Sequence, residues 1–243
     1  QLHVVEINAE SREKIKHALG VSAVAELADG VKGSDVILLA VKPQQLFELT
    51  QKLAPLLNSQ LILSIAAGIR ATDIIRWLGG YARVVRAMPN TPSLVRSGVA
   101  GLYAAPGVGE LDKKNAESIL AAVGTTLWVD DEEMLHTVTA ISGSGPAYVF
   151  YFIESMQQAG IELGLTPVQA RQLSLQTFAG ASKLASLSDE DVAVLRARVT
   201  SKGGTTEQAI QTMEENAIQC KIIAAVHAAN RRSRELSDEF SRI

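Results

Sequence analysis

The feature that most constrains this chain is the place where its strand-like runs stop. Short apolar runs occupy residues 2–7, 35–41, 61–68, 83–88, 97–105 and 125–131, and none follows. Helical patterns separate them, as in SREKIKHALG, KPQQLFELTQKLAPLL and ATDIIRWLGG, with Gly20 and Gly79 placed to end two of these helices. Strands alternating with helices predict a parallel, doubly wound sheet. The runs 35–41 and 61–68 are apolar at nearly every position, the pattern of strands covered on both faces. After Asp131 the spacing is helical throughout, over about 132–141, 146–163, 167–187, 189–199, 205–216 and 217–240. The chain therefore divides into an α/β domain over 1–131 and an all-helical domain over 132–243.

Composition narrows the function without naming it. Apolar residues make up 47% and the formal net charge is −3. With no basic stripe, a nucleic-acid binder is disfavoured. No apolar run reaches the length of a membrane span, and no signal-peptide pattern is visible. The single cysteine, Cys220, excludes an internal disulfide and makes the cytoplasm the default compartment. Its neighbours Ile218, Ile222 and Ile223 predict a buried, inert thiol. The helix from Pro146 is apolar on nearly every side, and TFAGASKLA (177–185) carries small residues at helical spacing. Such helices need partners beyond those their own domain supplies, which predicts an oligomer.

Ligands of a doubly wound sheet bind beyond the carboxyl ends of its strands. Here those ends read AVKPQQL (40–46), SIAAGI (64–69) and RAMPNTP (86–92). Pro43 suits the first turn of a helix, the small residues of SIAAGI allow close approach to the backbone, and two prolines stiffen the turn around Asn90 and Thr91. Each alone reads equally as an ordinary strand-to-helix turn, and together they favour a ligand site. At INAESR (7–12), where dinucleotide-binding folds meet the adenosine ribose, Asn8, Ser11 and Arg12 offer hydrogen bonds to a 2′-phosphate. That favours NADP(H) over NAD(H). A helix start capped by Ser11 accounts for the same residues. No G-x-G-x-x-G occurs anywhere.

Two hydroxyl- and glycine-rich helix starts, SGSGPAY (142–148) and VTSKGGTTEQAI (199–210), lie in the helical half. Backbone N–H groups there, with short hydroxyl side chains, suit a small anionic substrate, although plain capped helix starts read alike. The histidines, His3, His17, His136 and His227, share no ligand spacing, so no metal site is expected.

Together AVKP, SIAAGI, RAMPNTP, TAISGSGPAY and VTSKGGTTEQAI, in this order, resemble the pyrroline-5-carboxylate reductase family. The resemblance runs the length of the chain. It implies a Rossmann-like domain followed by a helical domain that forms homodimers or larger rings. It also implies a strand and a G-x-G-x-M-type loop ahead of the strand matched by residues 2–7. By resemblance, cofactor contacts fall on Asn8, Ala40, Val41, Lys42, Pro43, Ala66, Ala67 and Gly68, and substrate contacts on Glu132, Ser201, Gly204, Thr205 and Thr206. Two positions depart from the family pattern: Lys202 stands where proline is common, and Leu27 where asparagine is frequent.

The activity so implied is reduction of 1-pyrroline-5-carboxylate to proline by hydride transfer from NAD(P)H, the last step of proline biosynthesis. A protonated cyclic imine is already electrophilic, so the protein must chiefly orient it and exclude water. Thr206 is the expected catalytic hydroxyl, facing the imine nitrogen. N–H groups around Gly204 and Thr205, with Ser201, are expected to grip the carboxylate. Two other readings remain open at this stage. One is a related hydroxy-acid dehydrogenase using Lys183 or His136, and the other a non-catalytic oligomerising protein.

Overall fold

The computed structural model describes residues 2–242. By contact the chain forms two compact units. One runs to Gly143 and resumes at Ala229, and the other is Ser144–Ala228. The compositional break at 131/132 thus lies inside the first unit.

The first unit opens with β1 (Val4–Val5), α1 (Ala9–Leu19), β2 (Ala23–Val24) and α2 (Leu27–Val31). The two short strands pair in parallel as a small sheet of their own. Next come β3 (Val36–Leu39), α3 (Pro43–Leu53), β4 (Leu61–Ser64), α4 (Ala71–Trp77), β5 (Val84–Met88), β6 (Gly98–Ala104), α5 (Glu110–Ala121) and β7 (Gly124–Trp128). The five longer strands form one sheet in the order β3-β4-β5-β6-β7. Side chains alternate across it: Ile62 and Val84 join the apolar cluster under α3 and α4, while Leu61, Leu63, Val85 and Ala87 join the one under α5. Both faces are covered, which makes the sheet Rossmann-like and doubly wound.

Three details correct the sequence reading. The sheet is mixed, because β6 runs antiparallel to β5, with Arg86 opposite Tyr103. β3 is the outer strand of its sheet, so Leu38 is exposed although its run reads as covered on both faces. The cap of α1 is Asn8, not Ser11: the Asn8 side chain accepts the Ser11 N–H at 3.0 Å. Other signals held. Gly20 ends α1 at φ +66, and Pro43 occupies the first turn of α3.

Past the sheet come α6 (Met134–Val138) and a π turn (Thr139–Gly143). The second unit contains α7 (Gly145–Glu162), α8 (Pro167–Ser186), α9 (Val192–Arg198), α10 (Thr205–Glu215) and the first part of α11 (Ile218–Phe240). Thr166 and Gln169 form a reciprocal capping box on α8. Among residues 144–228 only Ile153, Ala170 and Ser174 are buried. Cys220 is exposed, contrary to the expectation of a buried thiol, because the helix face that carries it is not covered within the chain.

Candidate active site

The carboxyl end of β4 is built from small residues. Buried Ser64 accepts the Ala66 N–H at 3.3 Å, Ala67 is exposed, and Gly68 turns the chain at φ +78. A side chain at Gly68 is disfavoured by that left-handed backbone. Neighbouring β3 ends in exposed Ala40 and half-buried Val41, with exposed Lys42 leading into Pro43. Small residues at these adjacent strand ends, with Ala40 and Ala67 exposed, leave room into which a nicotinamide dinucleotide could reach.

At the other end of the expected cofactor path, Asn8, Ser11 and Arg12 are tied into the turn that opens α1. The Asn8 N–H donates to Glu6 Oε1 at 2.8 Å. Arg12 Nη1 donates to the Glu6 and Ile7 carbonyls at 2.8 and 2.9 Å. The Asn8 carboxamide oxygen is thus engaged as a helix cap, while the Ser11 hydroxyl and the remaining Arg12 N–H groups stay available to an anion at the start of α1. Two hollows of about 500 and 570 Å³, one beside β1 and β2 and one around Arg83 and Asp112, are lined by none of the expected ligand residues.

Glu132 stands at the same edge of the sheet in an unexpected role. Its Oε1 accepts the Ala71 N–H at 2.6 Å and Arg86 Nη1 at 2.5 Å, fastening the start of α4 to β5. Both side chains of this pair are largely buried. Burial pulls the Arg86 guanidinium below its ordinary value, against the opposing effect of the Glu132 carboxylate. Arg86 escapes a reading based on ligand motifs, yet a charged residue inside the otherwise apolar run RVVRAM is a visible signal. Next to it, Asn90 ties RAMPNTP to its surroundings: its Oδ1 accepts the Val99 N–H at 3.0 Å, and its Nδ2 donates to the Ser142 carbonyl in the π turn at 3.3 Å.

His136 is buried, with Nδ1 2.8 Å from the Ser233 hydroxyl and Nε2 3.9 Å from Glu133. Occupied in this way, it is poorly placed as the acid–base group a hydroxy-acid dehydrogenase requires. Lys183, the other candidate for that reading, is exposed on α8.

Within the helical unit, Ser201, Gly204, Thr205 and Thr206 come together in one turn. Gly203 has φ +74 and gives its N–H to Glu207 Oε2 at 2.7 Å. The Gly204 N–H donates to the Ser201 carbonyl at 3.0 Å, and a methyl on Gly204 would lie 2.6 Å from Ser201 Oγ. Gly204 is therefore a shaping residue whose N–H is already used, contrary to its expected role as a donor. The N–H groups that a helix leaves unpartnered begin with Thr205 and Thr206 at the start of α10. N–H groups at a helix start, with hydroxyl side chains beside them in the sequence, are chemistry that suits an anion.

Residues 132–236 match the family model described as pyrroline-5-carboxylate reductase dimerisation, and residues 2–68 match the NADP oxidoreductase, coenzyme F420-dependent, model. The pyrroline-5-carboxylate reductase of Pseudomonas aeruginosa is 44% identical over 99% of this chain and 88% of its own length. A pyrroline-5-carboxylate reductase structure from Coxiella burnetii superimposes with a TM-score of 0.91 at 41% identity, covering 97% of this chain and 88% of that one. The Plasmodium falciparum pyrroline carboxylate reductase, solved with NADP bound, gives 0.83 at 31% identity over 90% and 84% of the two chains. Similarity at this level over nearly the whole length leaves one conclusion: the chain belongs to the pyrroline-5-carboxylate reductase family.

Proposed function

We propose that this protein reduces 1-pyrroline-5-carboxylate to L-proline, with a reduced nicotinamide dinucleotide as the hydride source. The observation that carries this reading is the Ser201–Thr206 turn, shaped by Gly203 and Gly204 in a member of this family. In this reading the Thr205 and Thr206 N–H groups and the Ser201 hydroxyl hold the substrate carboxylate. The Thr206 hydroxyl faces the imine nitrogen and steadies the proton there. Ala40–Pro43 and Ala66–Gly68 receive the dinucleotide at these two adjacent strand ends. Glu132, a substrate contact by the family resemblance, also fixes Arg86 and the start of α4.

Thr206→Ala tests the chemistry. Loss of a hydroxyl bonded in the transition state costs about 1–3 kcal/mol. Turnover should fall roughly fivefold to over a hundredfold, with NADPH affinity unchanged. Ser201→Ala should mainly raise the substrate KM, as expected for a contact made equally in ground and transition states. Full kcat/KM in folded Thr206→Ala would remove Thr206 from its role.

NADPH is the preferred cofactor in this proposal, on the strength of Ser11, Arg12 and the start of α1. Arg12→Ala should weaken NADPH more than NADH, by several-fold, since only NADPH carries the extra phosphate. Equal losses in paired titrations would cancel the preference. No described helix is long and apolar enough to cross a membrane, and the cytoplasm is the compartment this reading implies. The assembly we propose is a homodimer or a larger ring through the helical unit.

A further inference from the structure

The turn after β4 is braced from behind by the end of the last helix. A methyl on Gly68 would lie 3.3 Å from the Phe240 ring and 3.6 Å from Leu236 Cβ. Phe240 packs against the apolar cluster that contains Leu39, Ala66 and Ile69. Two residues past Gly68, Arg70 donates to Asp238 Oδ1 at 2.6 Å and to the Ser241 hydroxyl at 2.9 Å. That hydroxyl in turn donates to Asp73 Oδ2 at 2.6 Å. Arg76 adds bonds to Asp73 at 3.0 Å and to the Ser241 carbonyl at 3.3 Å. Apolar packing and a charged network therefore fasten the end of α11 to residues 68–76.

A turn made of Ala66, Ala67 and Gly68 has almost no side-chain atoms with which to anchor itself. Glycine adds backbone freedom at the point where the chain reverses. Beyond the Ser64 bond to the Ala66 N–H and the burial of Ile69, its shape depends on what packs against Gly68, and that is the end of α11. We propose that Phe240, with Asp238 in support, is a positioning residue for the cofactor. The last turn of α11 fixes Ala66–Gly68 in the form that receives the dinucleotide, so helix docking and cofactor binding strengthen each other. This rests on the reading of Ala66–Gly68 as cofactor-contacting, and deepens it. Because such coupling is reciprocal, it has two readouts: loosening the helix end must weaken the cofactor, and the cofactor must tighten the helix end.

The test combines NADPH titration with amide hydrogen exchange on the intact protein. Phe240→Ala should raise the NADPH Kd by about fivefold or more, the lower range of such couplings. Asp238→Asn should raise it about twofold to fivefold, in keeping with an exposed ion pair, and Asp238→Glu should restore it. The KM for pyrroline-5-carboxylate at saturating NADPH should not move. In the unaltered protein, NADPH should slow exchange at residues 236–241. Ala67→Trp, which fills the exposed side of the turn, probes the underlying reading separately: if it binds NADPH normally, Ala66–Gly68 is not a cofactor contact. If Ala67→Trp binds poorly while Phe240→Ala and Asp238→Asn bind normally, the bracing proposal alone is overturned. Should Phe240→Ala fail to fold, Asp238→Asn and the exchange measurement decide, and unchanged exchange at 236–241 overturns the proposal.

Discussion

Leu61-Ile62-Leu63 and Val149-Phe150-Tyr151 are both apolar triplets, and they meet opposite surroundings. In β4 all three residues are 0% exposed, whereas in α7 they are 43%, 65% and 69% exposed. The strand lies between two helical layers drawn from its own unit, so its burial is complete within one chain. The helix belongs to a unit with almost no buried residue. Exposed Met156, Leu173, Leu184, Ile222 and Ile223 lie on the same unit, spread over three of its helices. Burial is the main favourable term in folding, so the two units differ in what holds them. One buries its apolar residues within its own packing, and the other leaves most of its apolar residues uncovered within the chain. The match to a dimerisation model over residues 132–236 fits that difference.

The largest expected effect breaks the contrast from the helical side. Were a two-fold assembly to cover Phe150, which is 65% exposed in the chain, the ring would be buried twice, worth at most about 3–6 kcal/mol at about 1.5–3 kcal/mol for each ring. Phe150→Lys removes that burial and sets two charges against an apolar surface. We expect monomers by sedimentation at micromolar concentration, where the parent protein sediments as a dimer or larger. Helical signal should be lost while the sheet unit keeps its near-ultraviolet spectrum. An unchanged assembly would place the covering surface elsewhere.

A smaller effect is expected on the sheet side, and it should have a different character. Ile62→Ala deletes a fully buried side chain between two layers and should cost about 2–5 kcal/mol. The loss should be the same at any protein concentration, because neighbours within the chain supply the packing. Destabilisation by Phe150→Lys, in contrast, should vanish on dilution below the dissociation constant of the parent assembly. Denaturation series at two concentrations separate the two behaviours.

The same contrast explains how much was legible in the sequence. Alternation of apolar runs gives away β4 and β5 because their side chains face two layers in turn. Helix spacing gives α7, α8 and α10 to within a few residues. Strand direction leaves no mark in such a pattern, so 97–105 reads as parallel although β6 is antiparallel. One clue was present: the link 89–97 is shorter than the dozen or so residues a parallel crossover needs. At two residues, β2 is too short to show any period. The Ser201–Thr206 turn was legible as glycines and hydroxyls, but the use of the Gly204 N–H by Ser201 was not, since it depends on backbone angles. Cys220 was misread because isoleucines at helical spacing were taken to face a core within the chain. The pairing of Glu132 with Arg86, and of Arg70 with Asp238, joins residues distant in sequence, and no local pattern announces them.

The smallest predicted effect sharpens the border between the units. His136 lies beyond the last strand, yet it is buried against Ser233 in the unit that contains the sheet. Burial holds its imidazole below the usual histidine range. Arg234, Arg86 and Arg70 push the same way, and Glu133 opposes them. In the unfolded chain the ring takes a proton near its ordinary pKa of about 6.5. In the folded chain it does so only at lower pH. The contribution of the neutral ring is therefore complete above the unfolded pKa and is lost as pH falls from there toward the folded value. Within that window the parent protein should lose up to about 1.4 kcal/mol per pH unit more than His136→Gln. Urea denaturation at about pH 7.5 and at about pH 5.5, either side of the unfolded value, measures the difference. It should appear in the transition that does not depend on protein concentration, because His136 and Ser233 both belong to the self-packed unit. Parallel pH dependence in the two proteins would mean that the ring protonates as readily when folded. A difference confined to the concentration-dependent transition would move α6 and the end of α11 to the side that needs a partner.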